Sequence, residues 1–183
     1  MSHVSATLLF IPHTESQPRS TWSGDQDERP LHPRGLQQAA RLATAIGPVD
    51  AVYSSPARRC VQTVEPLAAA SAIPIAPLDE LREAALQQPW PWDRHLDDAM
   101  RWATHGASVV GRLMNAFDMV HRHHRDQRVA LCSHGNTIPI AIASLAAHHS
   151  IDLPPPIDRG GWYEMADRTI RAHGNLLHDR SGP

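Results

Sequence analysis

Two histidines stand directly after apolar runs: His13 follows LLFIP at 8–12, and His134 follows VALCS at 129–133. An imidazole at the end of a buried strand can serve as nucleophile or general base. Arg59 adds a guanidinium four residues before Thr63, a spacing that puts both on one face of a helix. Ser55-Pro56, just ahead of it, reads as the start of that helix, whose N-terminus favours anions. Glu83, in LREAAL at 81–86, brings a carboxyl that can donate a proton. Two imidazoles, a guanidinium, a helix start and an acid make an anion-handling cluster. Against it stands the high histidine count of 13, since a lone histidine at a strand end is more often structural. The pair, each followed by a loop and joined by an arginine-bearing helix start, shifts the balance to function.

Such a cluster needs elements that bring it together. The chain is expected to form one domain over residues 1–183. Val4 to Ile11 reads as a buried strand, and residues 14–32 as a long polar loop. A helix runs from Pro33 through Ile46 and stops at Gly47-Pro48. Residues 50–54 form a second strand, followed by the helix that opens at Ser55-Pro56. IPIAP at 73–77 is short and extended, with prolines that suit a sheet edge. Residues 79–95, including PWPW at 89–92, are an irregular crossing. A helix returns from about 96 to 124, with Val110, Leu113, Phe117 and Val120 in register. RVALCS at 128–133 is a third strand, an Ala- and Ile-rich helix follows, and two short strands near 161–165 and 168–172 close the chain. This alternation predicts an α/β fold: a three-layer α/β/α sandwich with a mostly parallel central sheet. Ligands bind beyond the carboxyl ends of such strands. Right-handed crossovers bring His13 and His134 to one edge of the sheet.

Bulk properties narrow the partners. The 183 residues are 42% hydrophobic and 20% charged, with a formal net charge of −2, which speaks against a nucleic-acid coat or a membrane-surface binder. No apolar run approaches the roughly 18 residues of a membrane span, and the N-terminus lacks the features of a secretory signal. Two cysteines are too few for a disulfide scaffold. A cytoplasmic protein acting on a small, anionic molecule is expected, and the reading leaves room for a homodimer. All 17 basic residues are arginines, so anions must be held by Arg, His or backbone donors. No metal is expected. HRHHR at 121–125 reads as a cationic helix end, and zinc at His13 and His134 has no evident third ligand. Trp90 and Trp92 either pack or roof the pocket, since their crossing also carries Glu83.

SSPARRCVQT at 54–63 and CSHGNTIP at 132–139 resemble two motifs of the histidine phosphatase (phosphoglycerate-mutase-like) superfamily. WSGDQDERPL at 22–31 and RGGWYEM at 159–165 resemble its small phosphohistidine-phosphatase-like branch, notably the phosphatase domains joined to Nudix hydrolases in actinobacteria. Nothing Nudix-like precedes them here, so the domain is expected to stand alone. The resemblance covers about the whole chain and implies a phosphoglycerate-mutase-like fold. It also implies that His13 is the nucleophile that becomes phosphohistidine and that Arg59 clamps the phosphate. His134 then stabilises the transferred phosphoryl group, and Glu83 protonates the leaving oxygen, with Glu80 as its competitor. Arg19, Arg58, Thr14 and Gly135 fall among the candidate phosphate-binding residues. The family needs no cofactor.

The first motif departs from the pattern. Pro12 stands where the resemblance calls for an arginine, and Thr14 where it calls for Gly or Ala. Proline supplies no donor, and loss of a charge-stabilising group typically lowers rates by roughly 10²- to 10³-fold. Three outcomes stay open. Arg19, Arg29 or Arg58 restores the missing charge and phosphatase activity on a small phosphate ester persists. Alternatively, the pocket is repurposed for another acid–base reaction, or it has become a non-catalytic binding module.

Overall fold

The computed structural model describes residues 5–84 and 96–174. Strand β1 (Thr7–Pro12) is buried from Leu8 to Ile11, which fits a strand covered on both faces. Leu8 and Phe10 enter one apolar core with Leu113 and Phe117 of helix α3 (Leu96–His123) and Ile138 and Ile142 of α4 (Thr137–His149). Phe10 and Phe117 meet edge to face, with ring centres 5.1 Å apart. Leu9 and Ile11 enter the opposite core with Leu42 of α1 (Pro33–Ile46) and Val64 and Leu67 of α2 (Arg58–Ser71). Each such fully buried side chain contributes roughly 1.5–3 kcal/mol relative to exposure. The period-2 alternation of one strand thus holds two helical layers against the sheet.

The other strands are β2 (Ala51–Ser54), β3 (Ile75–Pro77), β4 (Arg128–Ser133), β5 (Trp162–Ala166) and β6 (Thr169–His173). Their spatial order is β3-β2-β4-β1-β5-β6. The first four in that order are mutually parallel, while β5 runs antiparallel to β1 and β6 antiparallel to β5. The expected sandwich with a mostly parallel sheet is therefore the observed one. The β5–β6 turn places Asp167 and Arg168 at φ 46° and 64°, the left-handed pair that suits a tight hairpin.

Two elements start three residues later than the sequence reading. β1 begins at Thr7 and extends through Pro12, later than the expected 4–11. Its proline is tolerated for a geometric reason. Thr7 N and His13 N both donate toward β4, to Gln127 O and Ser133 O, so the even-numbered N–H groups face β5. Pairing with β5 ends at Phe10, and Pro12 therefore removes no ladder bond. Helix α2 starts at Arg58, three residues after Ser55, because Ser55 N still donates to Cys132 O of β4. α1 matches its expected span and closes on Gly47 at φ 72°, whose N–H bonds Ala43 O. Trp90 and Trp92 lie outside the described residues.

Candidate active site

Pro12 pairs with Ser133 across β1 and β4, so the next residue on each strand emerges at the same edge. His13 and His134 meet there edge to face, ring centres 5.5 Å apart. Their hydrogen bonds differ. His13 Nδ1 lies 2.8 Å from Thr14 O. A carbonyl only accepts, so Nδ1 carries the proton and Nε2 keeps the lone pair. His13 is 8% exposed and lines a cavity of about 730 Å³. Burial pushes its pKa down to about 4 against the pull of the Thr14 carbonyl, and the charges of Arg59, Arg159 and Arg29 push the same way. At neutral pH this imidazole is uncharged, with its lone pair on Nε2.

His134 has both ring nitrogens occupied. Arg59 Nη2 lies 3.1 Å from Nδ1 and can only donate, so Nε2 carries the proton and gives it to Ser55 Oγ at 2.9 Å. Burial, then Arg59 and His13, lower its pKa to about 2. His134 thus holds Arg59 in place. Arg59, 1% exposed, also donates through Nη1 to Gln26 O at 2.6 Å and through Nη2 to Glu83 Oε2 at 2.9 Å.

Glu83 lines the cavity and bridges two guanidinia, with Arg19 Nη2 3.0 Å from Oε1. Its segment is anchored from several sides. Ser133 Oγ donates to Leu81 O, Ala84 N donates to Thr137 Oγ1, and Asn136 Nδ2 donates to Ala84 O. Arg112 of α3 grips the carbonyls of Glu80 and Arg82. The residues around the second histidine therefore also aim the carboxylate. Glu80, its competitor, is not among the residues lining the cavity.

The remaining expected residues divide. Arg19 and Gly135 line the cavity, and the Arg19 side chain is 62% exposed at its rim. Thr14 is fully buried and committed to structure: its Oγ1 donates to Gly35 O, and its N–H donates to Thr63 Oγ1. Gly35 permits this docking, because a Cβ there would sit 1.9 Å from Glu15 O. Thr14, standing where the resemblance calls for Gly or Ala, turns its side chain onto α1. Arg58 is a correction. It is exposed at the first turn of α2, is not among the lining residues, and its N–H donates to Asp27 O. Its side chain is turned to solvent, while that of Arg59, next to it on the same turn, reaches Glu83.

Arg29 is the residue that sequence reasoning undervalued. It is 6% exposed and lines the cavity. Its burial could not be read from a polar, aperiodic loop. Gln26, Asn136 and Tyr163 were missed entirely, the last arriving from β5, whose approach to the site depends on long-range pairing. Among the described residues no group of three or more His, Cys, Asp or Glu is placed to hold a metal ion, and no helix is long and apolar enough to cross a membrane.

Comparison with known proteins shows the family and the fold. Residues 8–161 match the sequence profile of the histidine phosphatase superfamily (branch 1). An 8-oxo-(d)GTP phosphatase of Mycolicibacterium smegmatis is 39% identical over 64 residues, a stretch covering 34% of this chain and 20% of that protein. The chain therefore spans about a fifth of the length of that curated relative. Solved structures share the fold, two of which follow. The phosphoserine phosphatase of Entamoeba histolytica, in complex with 3-phosphoglyceric acid, superposes with a TM-score of 0.66 at 18% identity, over 94% of this chain and 100% of that one. The alpha-ribazole phosphatase of Shigella flexneri gives 0.62 at 21% identity, over 92% and 96%.

Proposed function

The chain belongs to the histidine phosphatase superfamily (branch 1), and from that premise we propose that it hydrolyses a phosphate monoester through a phosphohistidine formed at His13. One observation carries this reading: a buried, neutral imidazole with its Nδ1 proton tied to Thr14 O and its Nε2 lone pair left for the cavity that Glu83 also lines. In the first step Nε2 attacks phosphorus and the P–O ester bond breaks. The leaving oxygen takes a proton from Glu83. In the second, water attacks phospho-His13, Glu83 takes the water's proton, the N–P bond breaks and inorganic phosphate departs.

Glu83 bridges Arg19 and Arg59 much as a phosphate would. The substrate phosphate, entering as its monoanion, displaces the carboxylate from Arg59 and passes its proton to it, which leaves a protonated Glu83 beside the leaving oxygen. His134 keeps Arg59 oriented throughout. A cavity of about 730 Å³ is far larger than a phosphate ion and suits an organic leaving group.

The test is turnover of p-nitrophenyl phosphate, phosphoserine, 3-phosphoglyceric acid, alpha-ribazole phosphate and 8-oxo-dGTP, with inhibition by orthovanadate. Hydrolysis of at least one ester is expected, falling by about 10²- to 10³-fold in Glu83→Gln. No turnover of any of them, together with no vanadate binding, overturns the reading. A second reading draws on Pro12, which lines the cavity and supplies no donor. It is a pocket repurposed for acid–base chemistry on a less anionic substrate. Vanadate binding separates the two, since a repurposed pocket does not favour an oxyanion.

A further inference from the structure

Among the described residues Arg29 is a buried cation that forms no ion pair. Its Nη1 donates to Ser16 Oγ and Gln17 O, each at 2.6 Å, and its Nε donates to Gln26 Oε1 at 3.1 Å. All three acceptors are neutral. Among the described residues Glu83 pairs with Arg19 and Arg59, and Asp27 with Arg82. Glu83 attracts Arg29 only from beyond ion-pair distance, while Arg59 and Arg19 repel it. Holding an uncompensated charge out of water is unfavourable, and a bound anion removes the problem. Among the described residues Nη2 has no hydrogen-bond partner, and Arg29 lines the cavity beside His13 and Pro12.

Its position is fixed relative to the other guanidinium. Gln26 accepts Arg59 on its backbone oxygen and Arg29 on its side-chain oxygen, the former at 2.6 Å. One residue therefore yokes two arginines that would otherwise repel. The acceptors Ser16 and Gln17 belong to the loop that leaves His13, so the same segment sets the nucleophile and this guanidinium.

Building on the phosphatase reading, we propose that Arg29 and Arg59, joined through Gln26, form the two-guanidinium clamp of the phosphate, with Arg29 supplying the charge that Pro12 does not. The substrate phosphate lies between them in line with His13 Nε2. Two guanidinia give the charge-assisted, geometrically directed contacts that a transferring phosphoryl group needs. The clamp is thus carried by the loop after β1 rather than by its last residue.

The experiment is orthovanadate binding by calorimetry, alongside p-nitrophenyl phosphate turnover, in wild type, Arg29→Gln, Arg29→Lys, Pro12→Arg and the Pro12→Arg/Arg29→Gln double variant. Circular dichroism checks the fold of each. Arg29→Gln is expected to weaken vanadate binding by roughly 10²- to 10³-fold, Arg29→Lys by less, and the double variant to recover much of the loss. Pro12→Arg alone is expected to change affinity by under about 5-fold, because two guanidinia are already present. A folded Arg29→Gln protein that binds vanadate as wild type does overturns the proposal. So does a gain of about 100-fold or more in Pro12→Arg alone, which decides the matter even if Arg29→Gln does not fold. Wild-type protein that neither binds vanadate nor turns over any ester overturns the phosphatase reading itself, and the clamp with it.

Discussion

The ends of β1 and β4 carry the same residue at the same edge of the sheet, yet they are built for different work. His13 is held at one nitrogen by a main-chain carbonyl and keeps the other for the cavity. His134 is held at both, by Ser55 and Arg59. Burial keeps both rings neutral at pH 7. On the proposed reading, what separates nucleophile from support is hydrogen-bond occupancy rather than charge or depth.

The largest test of that difference is to remove each ring in turn. His13→Ala is expected to lower kcat/KM by about 10⁵-fold or more, the scale on which a covalent nucleophile is lost. His134→Ala is expected to lower it by about 10²- to 10³-fold by releasing Arg59, with vanadate affinity falling in parallel. Equal losses in steady-state assays would erase the distinction.

A smaller effect follows from what steadies His13. The Thr14 carbonyl is set by the docking of residues 14–15 onto α1, which Gly35 permits by leaving room for Glu15 O. Gly35→Ala is expected to destabilise the fold by about 1–3 kcal/mol and to lower kcat by roughly tenfold, read by thermal melting and turnover. On the other strand end, Ser55→Ala removes the acceptor of His134 Nε2. A change of about 5-fold or less is expected, because Arg59 still holds the ring. A larger loss in Ser55→Ala than in Gly35→Ala would reverse the assignment of which ring is sensitive.

The pH dependence is the mildest test. His13 reacts when neutral, and its pKa is lowered to about 4, so kcat/KM should show no histidine ionisation near 6.5 and lose its acid limb only near pH 4. Stability follows the same sign. Between about pH 6.5 and about 4 the unfolded chain binds protons that the folded His13 and His134 refuse, so stability falls as pH falls through that window. A plateau in melting temperature from pH 7 to 4 would contradict the burial of both rings.

Much of this was legible in the sequence where the signal is local. Strand β4 was read with its bounds, and α1 likewise, because an apolar run, a proline and a glycine mark them. His13, His134, Arg59 and Glu83 were named from strand ends and motif spacing, and the structure brings all four together. Arg58 was misjudged because two adjacent arginines at a helix start look alike in sequence, while the helix turns them to different surroundings. Thr14 looked like a phosphate neighbour because its partners Gly35 and Thr63 come from two distant helices. Arg29 could not be singled out in a polar loop, since only the fold reveals that it is buried and, among the described residues, forms no ion pair.

The most direct measurement is to quench the enzyme with a ³²P-labelled ester during turnover, under alkaline conditions that preserve phosphoramidates, and to map the label. The account predicts phosphate on His13, attached at Nε2, because Nδ1 carries the proton given to Thr14 O. Label on His134, attachment at Nδ1 of His13, or turnover with no phosphohistidine at all would contradict it.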